Sequence, residues 1–207
     1  MTAIDYLTIL QRDIHSAVFA TVDAAGLPQT CVIDLMLCDQ GGLYFLTARG
    51  KSFYDRLTAR PYVALSGMRG GDTLSTAAVS VRGAVRCIGT DRLEEIFARN
   101  PYMAKIYPTP ASRAALEVFQ LYRGEGEYFD LSQLPPYRQS FSFGGDTVPD
   151  RGYRIDPEAC TRCGACLALC PTGCIRLDGA AAIDPDHCIH CGNCARTCPT
   201  GAAVRLG

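Results

Sequence analysis

The chain has little excess charge of either sign: 20 Lys and Arg stand against 21 Asp and Glu, a net charge of −1 over 207 residues. That balance gives no electrostatic reason to expect a nucleic acid or another polyanion as partner. There is no basic run, no low-complexity tract and no apolar stretch approaching the about 18 residues of a membrane span. The segment from Met1 to Asp13 lacks a charged leader followed by an apolar block and a small-residue cleavage site, so a cytoplasmic location is expected rather than export. Gly-x-Gly-x-x-Gly and Walker-type loops are also missing, which removes the Rossmann and phosphate-loop readings. What remains is 48% hydrophobic and 20% charged residues, the composition of a globular chain long enough for one ordinary domain and one small one.

Cysteine is the abundant exception, at 12 residues. Cys31, Cys38 and Cys87 are scattered and read as buried or half-buried small residues. The others crowd between Cys160 and Cys198. In a chain without an export signal, crowding of this kind favours metal or redox chemistry over a disulfide framework. Two runs share one spacing: Cys160-x2-Cys163-x2-Cys166-x3-Cys170-Pro171 and Cys188-x2-Cys191-x2-Cys194-x3-Cys198-Pro199. The duplication extends beyond them. Ile155-Asp156-Pro157 matches Ile183-Asp184-Pro185, and Pro171-Thr172-Gly173 matches Pro199-Thr200-Gly201, each at an offset of 28. Two similar half-units related by approximate two-fold symmetry are expected, each running strand, loop, short helix, strand. A zinc ribbon would use four ligands in two-plus-two spacing and does not account for two four-cysteine runs that each end in Cys-Pro.

Residues 153–207 resemble the bacterial-type ferredoxins that hold two [4Fe–4S] clusters. The resemblance implies that three thiolates of a run wrap one cluster while the fourth faces the neighbouring one. Cys160, Cys163, Cys166 and Cys198 would then serve one cluster, and Cys188, Cys191, Cys194 and Cys170 the other. Gly164 and Gly192 would let backbone N–H groups approach the sulfurs and tune the potential. Cys174 falls outside the pattern, opposite Ala202 in the second copy, and reads as a small buried hydrophobe. His187 and His190 flank Cys188 and read as surface groups or neighbours of the ligands.

Residues 1–143 read as an α+β unit, followed by a linker over 144–152. Ile4, Leu7 and Leu10 mark a short first helix. Strands are expected over Ala17–Val22, Thr30–Leu37, Leu43–Thr47, Tyr62–Met68, Leu74–Cys87 and Val118–Leu131, separated by glycine, proline and aspartate turns. Helices are expected over Ser52–Arg60, with Ser52 as N-cap, and over Asp91–Asn100. Thr47-Ala48-Arg49-Gly50-Lys51-Ser52 brings hydroxyls and cations to a strand-to-helix junction, a place suited to a phosphate. His15 reads as a surface or cap residue before the first strand. Tyr102 and Tyr107 read as core packing.

With the hairpin before it and Val79-Ser80-Val81-Arg82-Gly83 after it, this junction is similar to the FMN-binding split barrels of the pyridoxamine 5′-phosphate oxidase-like superfamily. That resemblance implies an antiparallel split β-barrel with short helices, which forms homodimers with FMN near the interface. It implicates Gln29, Thr30 and Cys31 against the flavin ring, and Thr47, Arg49, Lys51 and Ser52 at its phosphate. The substrate-binding basic residues of the vitamin B6 oxidases have no match. The two halves together imply an FMN-dependent oxidoreductase in which flavin exchanges electrons with a small substrate and the clusters relay them singly. The rival is a non-catalytic carrier between larger redox enzymes. A redox sensor is a third reading, weakened by the lack of any DNA-binding element.

Overall fold

The computed structural model describes residues 1–207. By its internal contacts the chain divides into two compact units. One comprises Met1–Arg69, Ala78–Glu127 and Phe141–Thr147. The other comprises Gly70–Ala77, Tyr128–Ser140 and Val148–Gly207. No helix is long and apolar enough to cross a membrane.

The first unit is built on one large sheet. Helix α1 (Ala3–Thr8) is capped by Thr2 and continues as a π-helical turn, Ile9–Ile14, up to His15. Then come β1 (Ser16–Val22), β2 (Pro28–Asp34), β3 (Leu37–Asp39) and β4 (Gly42–Ala48). Helix α2 (Ser52–Ala59), β5 (Tyr62–Arg69) and β6 (Ala77–Cys87) follow. Three short helices, α3 (Leu93–Arg99), α4 (Met103–Ile106) and α5 (Pro110–Arg113), precede β7 (Leu116–Asp130) and β8 (Tyr137–Phe143). The strand order is β2-β1-β5-β6-β7-β4-β3, with β8 on β7. This is the antiparallel split barrel with few, short helices that the sequence implies.

Two expectations are corrected. The run Thr30–Leu37 is not one strand: β2 ends at Asp34, the buried Leu35 and Met36 turn a corner, and β3 pairs instead with β4. The corner is held by Leu35 N–H to His15 C=O (2.8 Å) and Met36 N–H to Tyr44 C=O (2.8 Å). The N-cap of α2 is Lys51, in extended backbone and with no side-chain cap, while Ser52 is already helical. β8 is a further strand beyond those expected.

β4 shows why an unbroken apolar run forms a strand here: it is covered on both faces. Phe45 faces a buried aromatic cluster with Phe19 (ring centroids 4.9 Å), Phe119 (5.8 Å) and Phe53 of α2 (6.1 Å). Tyr44 and Leu46, on the opposite face, lie in the core beneath Leu93, Ile96 and Phe97 of α3. Phe53 and Leu57, one helical turn apart, are the buried residues that seat α2 against β1 and β4.

The second unit contains the duplicated module. β9 (Gly152–Ile155) pairs with β12 (Ala203–Leu206), and β10 (Ile175–Asp178) pairs with β11 (Ala180–Ile183). Helix α6 (Ala165–Ala168) belongs to the first copy and α7 (Asn193–Thr197) to the second. The pairs Ile155↔Ala203 and Ile183↔Ile175 occupy equivalent places in the repeat. The core here is small: Ile175, Ala181 and Ala203 with Cys174, Cys188 and Cys194.

Candidate functional site

In the module the structure brings together two sets of four cysteines. Cys160, Cys163, Cys166 and Cys198 line one pocket. Cys170, Cys188, Cys191 and Cys194 line another, together with Cys174. Each set therefore joins three cysteines of one run to the last cysteine of the other. The backbone that permits this is itself duplicated. Arg162 and His190, one residue before the second cysteine of each run, have φ of 60° and 56°, and Gly164 and Gly192 have φ of 73° and 76°. A non-glycine residue at positive φ is uncommon, so its recurrence at the repeat offset marks a loop shaped by what it encloses.

The sulfurs have hydroxyl and amide neighbours. Cys170 Sγ lies 3.6 Å from Thr172 Oγ1, and Cys198 Sγ lies 3.6 Å from Thr200 Oγ1. The Thr200 hydroxyl, helped by the Ala203 amide, brings the Cys198 thiol down to about 7. Burial pushes Cys166 and Cys194 up. No three Cys, His, Asp or Glu side chains converge closely enough to share a single metal ion. Cys174 is buried, 3.5 Å from Cys170 Sγ. His187 Nδ1 lies 3.1 Å from the Pro136 carbonyl, and its ring stands edge-on to Tyr137.

On the barrel, Thr47, Arg49, Lys51 and Ser52 follow one another across the β4–α2 junction. Thr47 is 3% exposed, and its Oγ1 is buried without a hydrogen-bond partner. A buried hydroxyl left in that state costs about 1–3 kcal/mol, so it fits a site that a polar group completes. The uncapped start of α2 adds free N–H groups beside it. Lys51 and Ser52 are exposed. Arg49 is engaged: its guanidinium donates to Glu117 Oε1 (2.9 Å) and to the Ala114 carbonyl (2.6 Å). Half of that side chain is exposed, so exchanging the Glu117 pair for another anion costs little. Glu117 also accepts from Tyr54 Oη (2.9 Å) and Cys87 Sγ (3.0 Å). The bond from Cys87, followed by those from Arg49 and Tyr54, holds its carboxyl below the usual range. Cys87 itself is exposed, not buried as the sequence suggested.

On β2, Gln29 and Thr30 are exposed, and Gln29 Nε2 donates to Asp23 Oδ2 (3.0 Å) in the adjoining turn. Cys31 is half-buried; burial raises its thiol, and the charges of Arg56 and Lys51 draw it back down. Cys31, Lys51 and Arg56 thus share a neighbourhood. Sequence reasoning missed Arg56, which donates to Thr21 Oγ1 (2.7 Å) from the middle of α2. Its position three residues after Phe53 on an amphipathic helix was the available signal.

Thr47→Val separates a structural from a binding role. It keeps the shape and removes the unpartnered oxygen, so the cofactor-free protein should gain about 1 kcal/mol of stability in urea titration. The same variant should retain less chromophore through gel filtration. Loss of stability without loss of chromophore contradicts a binding role for this hydroxyl.

A family model described as pyridoxamine 5′-phosphate oxidase matches residues 7–128, and one described as a 4Fe-4S dicluster domain matches residues 159–202. No curated protein sequence gives a significant match. Among solved structures, a NimC/NimA family protein from Clostridium acetobutylicum superposes with a TM-score of 0.55 at 18% identity, over 68% of this chain and 90% of that one. A protein from the same organism related to general stress protein 26, of the pyridoxinephosphate oxidase family, has a TM-score of 0.50 at 14% identity, covering 67% and 94%. A haem-binding protein from Mycobacterium smegmatis has a TM-score of 0.54 at 15% identity, covering 69% and 58%. At these identities the likeness is one of fold.

Proposed function

The chain belongs to the pyridoxamine 5′-phosphate oxidase family and carries a 4Fe–4S dicluster domain, and from that premise we propose that it is an FMN-dependent oxidoreductase with its own iron–sulfur electron relay. The observation that carries this reading is the pair of four-cysteine cavities in the same chain as a split barrel. Bound FMN supplies a centre that takes electrons in pairs and releases them singly, which matches the one-electron clusters. Cys160, Cys163, Cys166 and Cys198 would ligate one cluster, and Cys188, Cys191, Cys194 and Cys170 the other. The thiolate-favouring contacts from Thr172 and Thr200 support that role. At the barrel, Thr47 Oγ1, the first amides of α2, Lys51 and Ser52 would hold the phosphate, with Arg49 released from Glu117 to join them. Gln29, Thr30 and Cys31 would border the ring.

A homodimer belongs to the same proposal. On the outer face of β2, β1 and β5, Val32 (65% exposed), Val18 (50%), Tyr62 (53%) and Met68 (62%) lie in open solvent. Val18 is in register with Val32 on one side and Ser66 on the other, so the apolar groups form a patch instead of isolated spots. A second copy of the chain is the occupant we assign to it. Val32→Lys should shift the mass in analytical ultracentrifugation from dimer to monomer; an unchanged mass removes this face from the interface.

Anaerobic purification tests the whole reading. Denaturation should release a flavin, identified by chromatography, from a preparation that also contains iron and acid-labile sulfide. Iron and sulfide without flavin contradict the proposal, and a sharp Soret band would assign the barrel to haem instead.

A further inference from the structure

The repeat lets each cysteine set be compared with its own copy, position by position at the offset of 28, and the two are not alike. The first loop is open: beyond its chain neighbours, no atom lies within 4 Å of the place a Cβ on Gly164 would take. At the matching Gly192 the Tyr153 hydroxyl lies 2.7 Å from that place, so the tyrosine closes down on the loop. The residue ahead of the second cysteine repeats the contrast. The His190 ring packs against Gly152, 2.5 Å from where a Cβ there would stand, whereas its counterpart Arg162 is exposed. Both residues have positive φ, 56° and 60°, so the loops share one backbone shape and differ in what covers them.

The linings differ in the same direction. Tyr153, Ile175 and Ile189 border the set of Cys170, Cys188, Cys191 and Cys194. At the equivalent positions, Ala181, Ala203 and Thr161 border the set of Cys160, Cys163, Cys166 and Cys198. Larger apolar groups keep water from the sulfurs that smaller ones leave within its reach. Cys188 and Cys194 are accordingly 8% and 7% exposed, while their counterparts Cys160 and Cys166 are only half-buried. Burial widens the gap an electron must cross to a molecule in solution, and exchange falls steeply with that gap. Charge separates the sites as well. Arg162 is the one Arg, Lys, Asp or Glu bordering the first set, and the second set has none.

We propose that the set of Cys160, Cys163, Cys166 and Cys198 is the electron port of the protein, and that its partner is a one-electron carrier presenting negative charge to Arg162. The other set is the centre shielded from solution. At the port one electron leaves a reduced cluster for each oxidised carrier, or enters by the reverse step, and no bond or proton is exchanged. This rests on the two-cluster reading above and not on the flavin.

Two measurements on full-length holoprotein, prepared anaerobically, test it. In the first, an iron chelator strips the clusters while iodoacetamide traps each cysteine as it is freed. Peptide mass spectrometry then locates the label when half of the iron has gone. Cys160, Cys163, Cys166 and Cys198 should carry at least about tenfold more label than Cys170, Cys188, Cys191 and Cys194. Tyr153→Ala, which uncovers Gly192, should bring the two sets within about threefold of each other. Equal labelling in the wild type, or label arriving first at Cys188 and Cys194, overturns the assignment. In the second, dithionite-reduced protein is mixed with ferricyanide, a trianion, or with hexaammineruthenium(III), a trication, and the cluster signals are followed by freeze-quench electron paramagnetic resonance. Arg162→Glu should slow the ferricyanide reaction about fivefold at low salt and speed the ruthenium one, with both effects fading at high ionic strength. Rates unmoved by Arg162→Glu, or both slowed alike, contradict a port that selects for negative charge. Protein with both clusters and no flavin would sink the flavoenzyme reading and leave these comparisons intact, whereas a chain without iron would sink the two together.

Discussion

Replacing Cys194 with alanine is expected to remove one cluster and to unfold the small module around it. Cys194 and Cys188 are buried in a core that otherwise offers little more than Ile175, Ala181, Ala203 and Cys174. Four-residue strands and helices of four and five residues cannot hold themselves together, because each leaves as many terminal backbone groups unsatisfied as it pairs. Folding energy must come from ligation. For structural zinc in peptides of comparable size that contribution is about 10–16 kcal/mol, and a cubane held by four thiolates fills the same role. The iron content should fall by about half or more, and amides of 153–207 should lose hydrogen-exchange protection while those of β4 and β7 keep theirs. Wild-type protein stripped of iron should show the same pattern. Full protection of the module in iron-free protein would mean that its apolar core suffices.

The second large effect lies in the barrel. Phe45 is fully buried and touches Phe19, Phe119 and Phe53, so Phe45→Ala opens a cavity at the point where three strands and α2 meet. Truncation of a buried phenylalanine costs about 3–5 kcal/mol. For a unit of this size that corresponds to a fall in melting temperature of roughly 10 °C. Because Phe53 seats α2, loosening its partner should also disturb the start of that helix. Chromophore content should therefore drop along with stability. Phe119→Leu, which keeps much of the volume, should cost less than half as much. A shift below about 1 kcal/mol in urea titration of Phe45→Ala would mean that this cluster is not the core of the barrel.

Much of this was legible in the sequence because it is local. The strand β4 and the helix after it follow from an unbroken apolar run and a polar strand-to-helix junction. The pairing of four-cysteine sets across the module is what the resemblance to two-cluster ferredoxins implies, and a repeat that duplicates cysteines, turns and strand ends carries that resemblance. What escaped is long-range. Thr30–Leu37 reads as one strand because nothing within it announces that Leu35 bonds to His15, just before β1, and Met36 to Tyr44 in β4. β8 follows Pro135-Pro136 and pairs with a strand whose position only the fold supplies. The Tyr102 hydroxyl is hydrogen-bonded to His15 and Asp34 across 87 and 68 residues, so no spacing rule joins them. Arg49 looked available beside Lys51 until Glu117, across the sheet, claimed it.

In the proposed function, one chain joins a two-electron centre to two one-electron centres. An anaerobic reductive titration, followed by visible absorption and electron paramagnetic resonance on protein as purified, addresses it most directly. Uptake of about four electrons per chain is expected, two in the flavin and one in each cluster, with bleaching of the flavin band alongside the signals of reduced clusters. Uptake of about two electrons with cluster signals alone, or an iron content too low for two cubanes, would contradict it.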